Sequence, residues 1–254
     1  MGQIIAVANQ KGGVAKTTTV INLADALVRL GKRVLVVDLD PQGNATSGLG
    51  INRRELQASV YNVLIEDEKA EDIILPTKFG DLFVLPADIN LAGAEIELVP
   101  LDEREKRLLN GLQYVVPAFD YVLIDCPPSL GILTLNALTA ADSIIIPVQA
   151  EYYALEGLQQ LFSTLMKVRQ RSNPGLAILG VLLTMYDSRV NLAAQVVDQV
   201  KEHFGDLVFE VVIPRNVRLS EAPSHGMPIS YYDTKSKGAE NYRILAEIVI
   251  ERTT

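Results

Sequence analysis

The sequence predicts a three-layer α/β sandwich, a mainly parallel, twisted sheet flanked by helices. Three observations predict it. Short β-branched runs alternate with helix-length segments along most of the 254 residues, the order that a parallel sheet with crossover helices requires. Several of these runs are apolar almost throughout rather than alternating, as in strands buried on both faces. A glycine-rich turn joins the first run to the first helical pattern, on the side where such sheets bind ligands.

Ile4–Ala8 reads as the first strand, and Thr17–Leu30 as the first helix, closed by Gly31. Arg33–Asp38 is the second strand. The stretch from Gln42 to Arg54 that follows is rich in Gly, Asn and Ser and is expected to be a mobile loop. Leu82–Leu85, Tyr121–Asp125, Ser143–Pro147, Ile178–Thr184 and Val208–Ile213 complete the strands. Helices are expected over Asp102–Tyr114, over Leu155–Arg171 before Asn173 and Pro174, over Asn191–Phe204 before Gly205, and over Gly238–Glu251.

At 48% hydrophobic residues, with no linker-like tract and no internal repeat, residues 1–254 are expected to form one domain. The lone Cys126 excludes an internal disulfide and points to a reducing, cytosolic setting. The chain opens directly on a strand-like run without a basic leader or an 18-residue apolar segment, so neither export nor membrane spanning is expected. Gly2 lacks the Ser or Thr that a myristoylation signal needs, because Ala6 stands there. His203 and His225 are too few and too far apart to suggest a metal site. The formal charge of -8 argues against coating nucleic acid through the overall field, so any such contact must be local.

The turn reads Asn9-Gln10-Lys11-Gly12-Gly13-Val14-Ala15-Lys16-Thr17-Thr18. Small residues there let backbone N–H groups turn inward around phosphate oxygens, and the following helix adds its positive end. This is the phosphate loop of a P-loop NTPase three-layer sandwich, and ATP is the expected ligand. Lys16 supplies a point charge for the outer phosphates. The Thr17 hydroxyl is placed to join the shell of a magnesium ion, and Thr18 to bond a phosphate. An ordinary glycine turn capped by threonines does not explain two lysines aimed into one tight loop.

Two strands end in carboxylates. Asp38-Leu39-Asp40 leaves the second strand, and Asp40 projects toward the phosphates, where it can orient or deprotonate the attacking water. Asp38 suits a structural role, fixing the loop through backbone hydrogen bonds. Asp125 ends an apolar strand in the Walker B pattern and would hold the metal through its water shell. Cys126-Pro127-Pro128-Ser129 then reads as a stiff switch, in which Cys126 is a small buried residue.

The segment from Lys11 to Thr17 matches the deviant Walker A motif of the ParA/MinD ATPases, marked by the extra lysine, here Lys11. The resemblance covers nearly the whole chain. It sharpens toward the chromosomal ParA branch through DLDPQGNATSGLG (38–50), DCPPSL (125–130), QAEYYALEG (149–157) and IPRNVRLSEAPSHG (213–226). It implies that Lys11 reaches the partner's phosphates across an ATP-dependent sandwich homodimer, and that Asp40 is catalytic. One departure is Ala15, where the family usually has glycine; a left-handed alanine costs roughly 1 to 2 kcal/mol.

The resemblance further implies non-specific binding of double-stranded DNA by the dimer through Arg189 and Arg218, and adenine contacts from Pro214, Arg215 and Asn216. It also implies a ParB-like centromere-binding partner that accelerates slow hydrolysis, and a cytoplasmic protein that joins the nucleoid when ATP-bound. Arg215, Lys235, Lys237 and Arg243 surround Arg218 in an otherwise acidic chain, as a local phosphate-binding patch would require. Tyr152 and Tyr153 are expected to pack rather than bind. A MinD-like membrane-positioning ATPase needs a basic amphipathic carboxyl-terminal helix; RILAEIVIERTT (243–254) has two arginines, two glutamates and no lysine. An iron-sulfur ATPase needs two cysteines per chain. A metabolic ligase would reveal itself by a small-molecule substrate that stimulates turnover.

Overall fold

Strands β1 (Gln3–Val7), β2 (Val34–Asp38), β3 (Leu75–Pro76), β4 (Leu82–Leu85), β5 (Tyr121–Asp125), β6 (Ser143–Gln149) and β7 (Ala177–Thr184) build one sheet. Their spatial order is β3-β4-β2-β5-β1-β6-β7, all parallel except the short antiparallel β3 at the edge. The structure is a computed structural model and describes residues 2–151, 154–187 and 189–254. Tyr152 and Tyr153, expected to pack, lie outside the described residues.

The apolar strands are explained by two cores, one on each face of the sheet. Ile4, Ala6, Leu35, Val37, Val122 and Ile124 point to one face. Their neighbours Ile5, Val7, Val34, Val36, Tyr121 and Leu123 point to the other. Alternation is therefore present in direction but not in polarity, because both faces are covered.

In chain order the helices are α1 (Lys16–Arg29), α2 (Asn44–Gly48), α3 (Val60–Ile65), α4 (Ala70–Ile73), α5 (Leu91–Glu97) and α6 (Arg107–Leu112), then α7 (Ile132–Ala140), α8 (Ala154–Arg171), α9 (Asn191–Phe204), α10 (Val217–Glu221), α11 (Ile229–Tyr232) and α12 (Lys237–Thr253). Helices α3 to α9 contribute to the first core. Helices α1, α2, α10, α11 and α12 contribute to the second. The buried face of α12, Tyr242, Leu245, Ala246 and Val249, packs on α1, and the Tyr242 hydroxyl lies 3.2 Å from Thr19 Oγ1. Among the described residues no helix is long and apolar enough to cross a membrane.

Three segments differ from expectation. Gln42–Arg54 is not a mobile loop: it holds α2 and a 3-10 turn at Arg53–Glu55, with Ala45, Thr46 and Leu49 buried. Arg53 closes it from outside by donating to the carbonyls of Pro41 and Gln42. Composition hid the apolar anchors among glycines and polar residues. Helix Asp102–Tyr114 shrinks to α6, because Glu103 adopts φ 48° and breaks the first turn. Asn136 holds that turn, donating to the Arg104 carbonyl (2.8 Å) and accepting from the Leu108 N–H (3.1 Å).

Val208–Ile213 is no regular strand. Its backbone meets β7 at one isolated bridge, Val208 to Val181, and a second bridge joins Pro214 to Tyr186 just past both segments. Phe209 N donates to the Val181 carbonyl and Ile213 N to the Leu183 carbonyl, so four residues of this segment advance while β7 advances two. The bulge accommodates the buried ring of Phe209 over Gly180, where a Cβ would come within 2.4 Å of the ring. Pro214 needs no N–H in the bridge to Tyr186, which is made by the Tyr186 N–H to the Ile213 carbonyl and the Arg215 N–H to the Tyr186 carbonyl.

Candidate functional site

The phosphate loop leaves β1 between β5 and β6 and is pinned at both ends from the β6–β7 side. Buried Asn9 donates to the Pro147 carbonyl of β1's neighbour β6 (2.7 Å) and accepts from the Lys11 N–H (3.0 Å). At the far end the Thr184 hydroxyl of β7 donates to the Val14 carbonyl (3.1 Å), holding buried Val14 beneath the loop. Gly12 and Gly13 are exposed between these anchors, Gly13 at φ 74°. No side chain caps α1, so its first N–H groups remain available to an anion.

Ala15, the residue before α1, sits at φ 66°, ψ 32°. The left-handed conformation expected for that position is thus adopted with a Cβ present. Relief of about 1 kcal/mol or less is what Ala15→Gly can give, since glycine also loses more entropy on folding. Calorimetric titration should therefore find ATP affinity changed by less than about tenfold. A gain of several orders of magnitude would mean that the alanine loop is misformed.

Lys16 opens α1 and is 7% exposed, with Nζ donating back to the Lys11 carbonyl at 3.1 Å. Burial pulls its pKa below the ordinary lysine value, opposed by the nearby Asp125 and Asp40 carboxylates. A buried ammonium lacking a paired carboxylate is poised to gain from an anionic ligand. Lys11 lies on the rim instead. Its Nζ contacts Glu151 Oε2 at 2.8 Å, and Glu151 also accepts from Gln149.

Asp125 is fully buried at the end of β5, and its Oδ2 accepts from the Thr17 hydroxyl at 2.7 Å. Its Oδ1 is buried with no hydrogen-bond partner among the described residues. An orphaned carboxylate oxygen beside a hydroxyl and a phosphate loop fits a hydrated magnesium ion, held by Thr17 directly and by Asp125 through water. Burial also pushes the Cys126 thiol up, which makes it an inert packing residue.

Asp38 pairs in register with Asp125 across β2 and β5. It is buried and accepts from the Thr46 N–H (2.8 Å), the Thr46 hydroxyl (2.7 Å) and the Asp40 N–H (3.2 Å). The structural role expected of it is what these bonds perform: Asp38 folds α2 back onto the strand end and aims Asp40. The half-buried Asp40 accepts from the Gln42 N–H through Oδ1. Its other oxygen takes no hydrogen bond among the described residues.

Burial raises the Asp38 carboxyl to about 6 against the bonds from Thr46 and Asp40. Burial, then the Asp38 charge, raises Asp125 well above the ordinary range, against the Thr17 bond. Both groups bind protons more tightly folded than unfolded. The Asp38 contribution is therefore complete below the unfolded value of 3.8 and is lost as pH rises through about 6, and the Asp125 contribution is lost in the same direction of pH. At about 1.4 kcal/mol per unit, denaturant unfolding without magnesium should show stability falling across that window. Asp125→Asn should make the fall shallower, and an unaltered slope would reject the coupling.

Beyond β7, Tyr186 and Arg215 are tied by the Arg215 N–H to Tyr186 carbonyl bond (3.0 Å), which sets Pro214–Asn216 beside the strand exit. Asn216 Oδ1 caps α10 at the Arg218 N–H, and its Nδ2 donates to Ser236. Its side chain is thus committed to the fold. Arg189 and Arg218 are exposed, each in an ion pair with a nearby carboxylate. Sequence reasoning missed Asn9, Thr46, Thr184 and Glu151, whose roles depend on strands distant in the chain.

A family profile described as "AAA domain" matches residues 2–178. The chain is 59% identical to the sporulation initiation inhibitor protein Soj of Bacillus subtilis, over 98% of each chain. It is 54% identical to the chromosome partitioning protein ParA of Myxococcus xanthus, over 100% of this chain and 90% of the relative. Among solved structures it is similar to cobyrinic acid a,c-diamide synthase from Mycobacterium smegmatis with bound ADP and magnesium, at 43% identity and TM-score 0.88, covering 100% and 96% of the two chains. With the phosphate loop, its second lysine and the two strand-end carboxylates in place, the chain belongs to the ParA/Soj family of chromosome-partitioning ATPases.

Proposed function

We propose that the chain is an ATP-dependent DNA-partitioning switch built as one ATPase domain. The observation that carries this is a pair of lysines in one anion cradle, Lys16 buried within it and Lys11 on its rim. ATP binds the loop from Lys11 to Thr18, and adenine lies against Pro214 and Arg215. Magnesium, when bound, supplies charge neutralisation between phosphate oxygens. Thr17 and Asp125 hold it, and Asp40 orients the attacking water. Lys11 leaves Glu151 for the triphosphate of a second copy, so that ATP binding and dimerisation become one event.

The dimer joins two exposed basic patches, Arg189 and Arg218 from each copy, into one surface for non-specific DNA. Hydrolysis separates the copies and releases the DNA. A ParB-like partner that speeds hydrolysis turns this cycle into movement during segregation, with the ATP form on the nucleoid in the cytoplasm. A MinD-like membrane role finds less support, because the apolar face of α12 is buried against α1.

The deciding test compares DNA binding with ATP and with ADP. The ATP form should bind and Arg218→Ala should abolish binding, while liposome flotation stays negative. Equal binding in ADP would remove the switch. The similarity to a diamide synthase favours one other reading, an amide-forming ligase. Stimulation of ATP turnover by a small carboxylic acid rather than by DNA and partner would establish that instead.

A further inference from the structure

Both arginines assigned to DNA carry a carboxylate of their own. Asp187 accepts from Arg189 through both oxygens, Nε at 2.9 Å and Nη2 at 2.7 Å, and also from the Arg189 backbone N–H at 3.0 Å. The Arg189 bonds hold the Asp187 carboxyl down at about 2, so it stays ionised throughout the physiological range. Glu221 accepts from Arg218 Nη1 at 3.0 Å and is itself fixed by the Tyr232 hydroxyl at 3.0 Å. The two cases are built alike. The side-chain oxygen of Asp187 or Asn216 receives the N–H of the arginine two residues on, and the two segments are bridged at Tyr186 and Pro214.

A cavity of about 490 Å³ beside this bridge is lined by Arg189, Arg215 and Lys237, with Asp187 the one carboxylate among its lining residues. In the Asp187 pair, both carboxylate oxygens bond to one edge of the guanidinium, through Nε and Nη2, the geometry that a phosphodiester would take. We propose that Asp187 and Glu221 are built-in counter-ions, which compete with DNA phosphates for Arg189 and Arg218 and so set the threshold of DNA affinity. This rests on the reading that these arginines meet DNA. Each pair is exposed, so each attenuates binding without blocking it. Local backbone geometry holds both partners together, and binding must displace one pair for every arginine used. One copy then gains little from DNA, whereas a dimer with four arginines passes the threshold.

The test measures affinity for a short labelled duplex of arbitrary sequence, using the full chain with magnesium and ATP or ADP. Asp187→Asn and Glu221→Gln should each tighten binding of the ATP form about two- to fivefold, and together raise binding in ADP above that of the unchanged chain. Glu240→Gln removes the same charge from an exposed residue with no ion pair among the described residues, and should tighten binding less. In an Arg189→Ala background, Asp187→Asn should lose its advantage over Glu240→Gln, an outcome that a general field effect or a folding defect would not give. The proposal is overturned if Asp187→Asn and Glu221→Gln match Glu240→Gln, or if the gain survives without Arg189. Failure of the reading beneath it looks different: the unchanged chain would bind equally in ATP and ADP, or Arg218→Ala would bind as well as the unchanged chain.

Discussion

Asp40→Ala is expected to lower ATP turnover by about 10²- to 10⁴-fold, the contribution of a well-placed group that orients or deprotonates water, while ATP-dependent DNA binding persists. The expectation follows from how the two carboxylates of the β2 exit divide their work. Asp38 is buried under three hydrogen bonds and holds the turn. Asp40 uses one oxygen on the Gln42 N–H and keeps the other free among the described residues. Removing Asp40 therefore takes away one turn contact, which affects stability by roughly 1 kcal/mol or less, and leaves the phosphate loop and Lys11 untouched. Asp38→Ala should instead lower the melting temperature, since Thr46 loses its acceptor in the core. Single-turnover hydrolysis and DNA retention on the same preparations separate the two. If Asp40→Ala hydrolyses ATP normally, the water is positioned elsewhere; if it loses DNA binding, dimerisation depends on this carboxylate as well.

The layered architecture was legible because the burial of strands on both faces is written in their composition, as in Val34–Asp38 and Tyr121–Asp125. The phosphate loop was legible for a different reason: Lys11 to Thr18 is contiguous, so its chemistry depends on local order alone. What was not legible required knowledge of distant neighbours. Gly180 makes room for Phe209 and thereby turns an expected strand, Val208–Ile213, into a bulge. Asn136 on α7 holds the turn that shortens α6. Asp38 recruits Thr46 and converts an apparent loop into α2. Asn9 and Thr184 anchor the loop from opposite ends, yet neither has a local signature. Ala15 was the informative departure, since its left-handed backbone follows from the neighbouring geometry whatever residue stands there.

Lys16→Ala and Lys11→Ala should fail at different steps, and the structure explains why. Lys16 is nearly buried inside the cradle and, among the described residues, its ammonium is hydrogen-bonded only to the Lys11 carbonyl. A charge-assisted bond to phosphate in that setting contributes about 1.5 to 3 kcal/mol, so Lys16→Ala should weaken ATP binding by roughly tenfold to more than a hundredfold and abolish every later step. Lys11 is 37% exposed and its partner Glu151 52%. An exposed pair of this kind stabilises by about 0.2 to 1 kcal/mol, which is small against the attraction of a triphosphate in a closed interface. On the proposed switch, the pair with Glu151 is a resting contact that a second copy's nucleotide would displace. Lys11→Ala should keep ATP affinity of the single chain within a few fold of the unchanged protein. Sedimentation velocity with ATP and magnesium should nonetheless find it monomeric, with DNA binding lost alongside the dimer. Glu151→Gln frees the lysine and should favour the dimer slightly. Should Lys11→Ala dimerise with ATP as the unchanged chain does, the second lysine does not serve the neighbouring phosphates, and the coupling between ATP and assembly must lie in other residues.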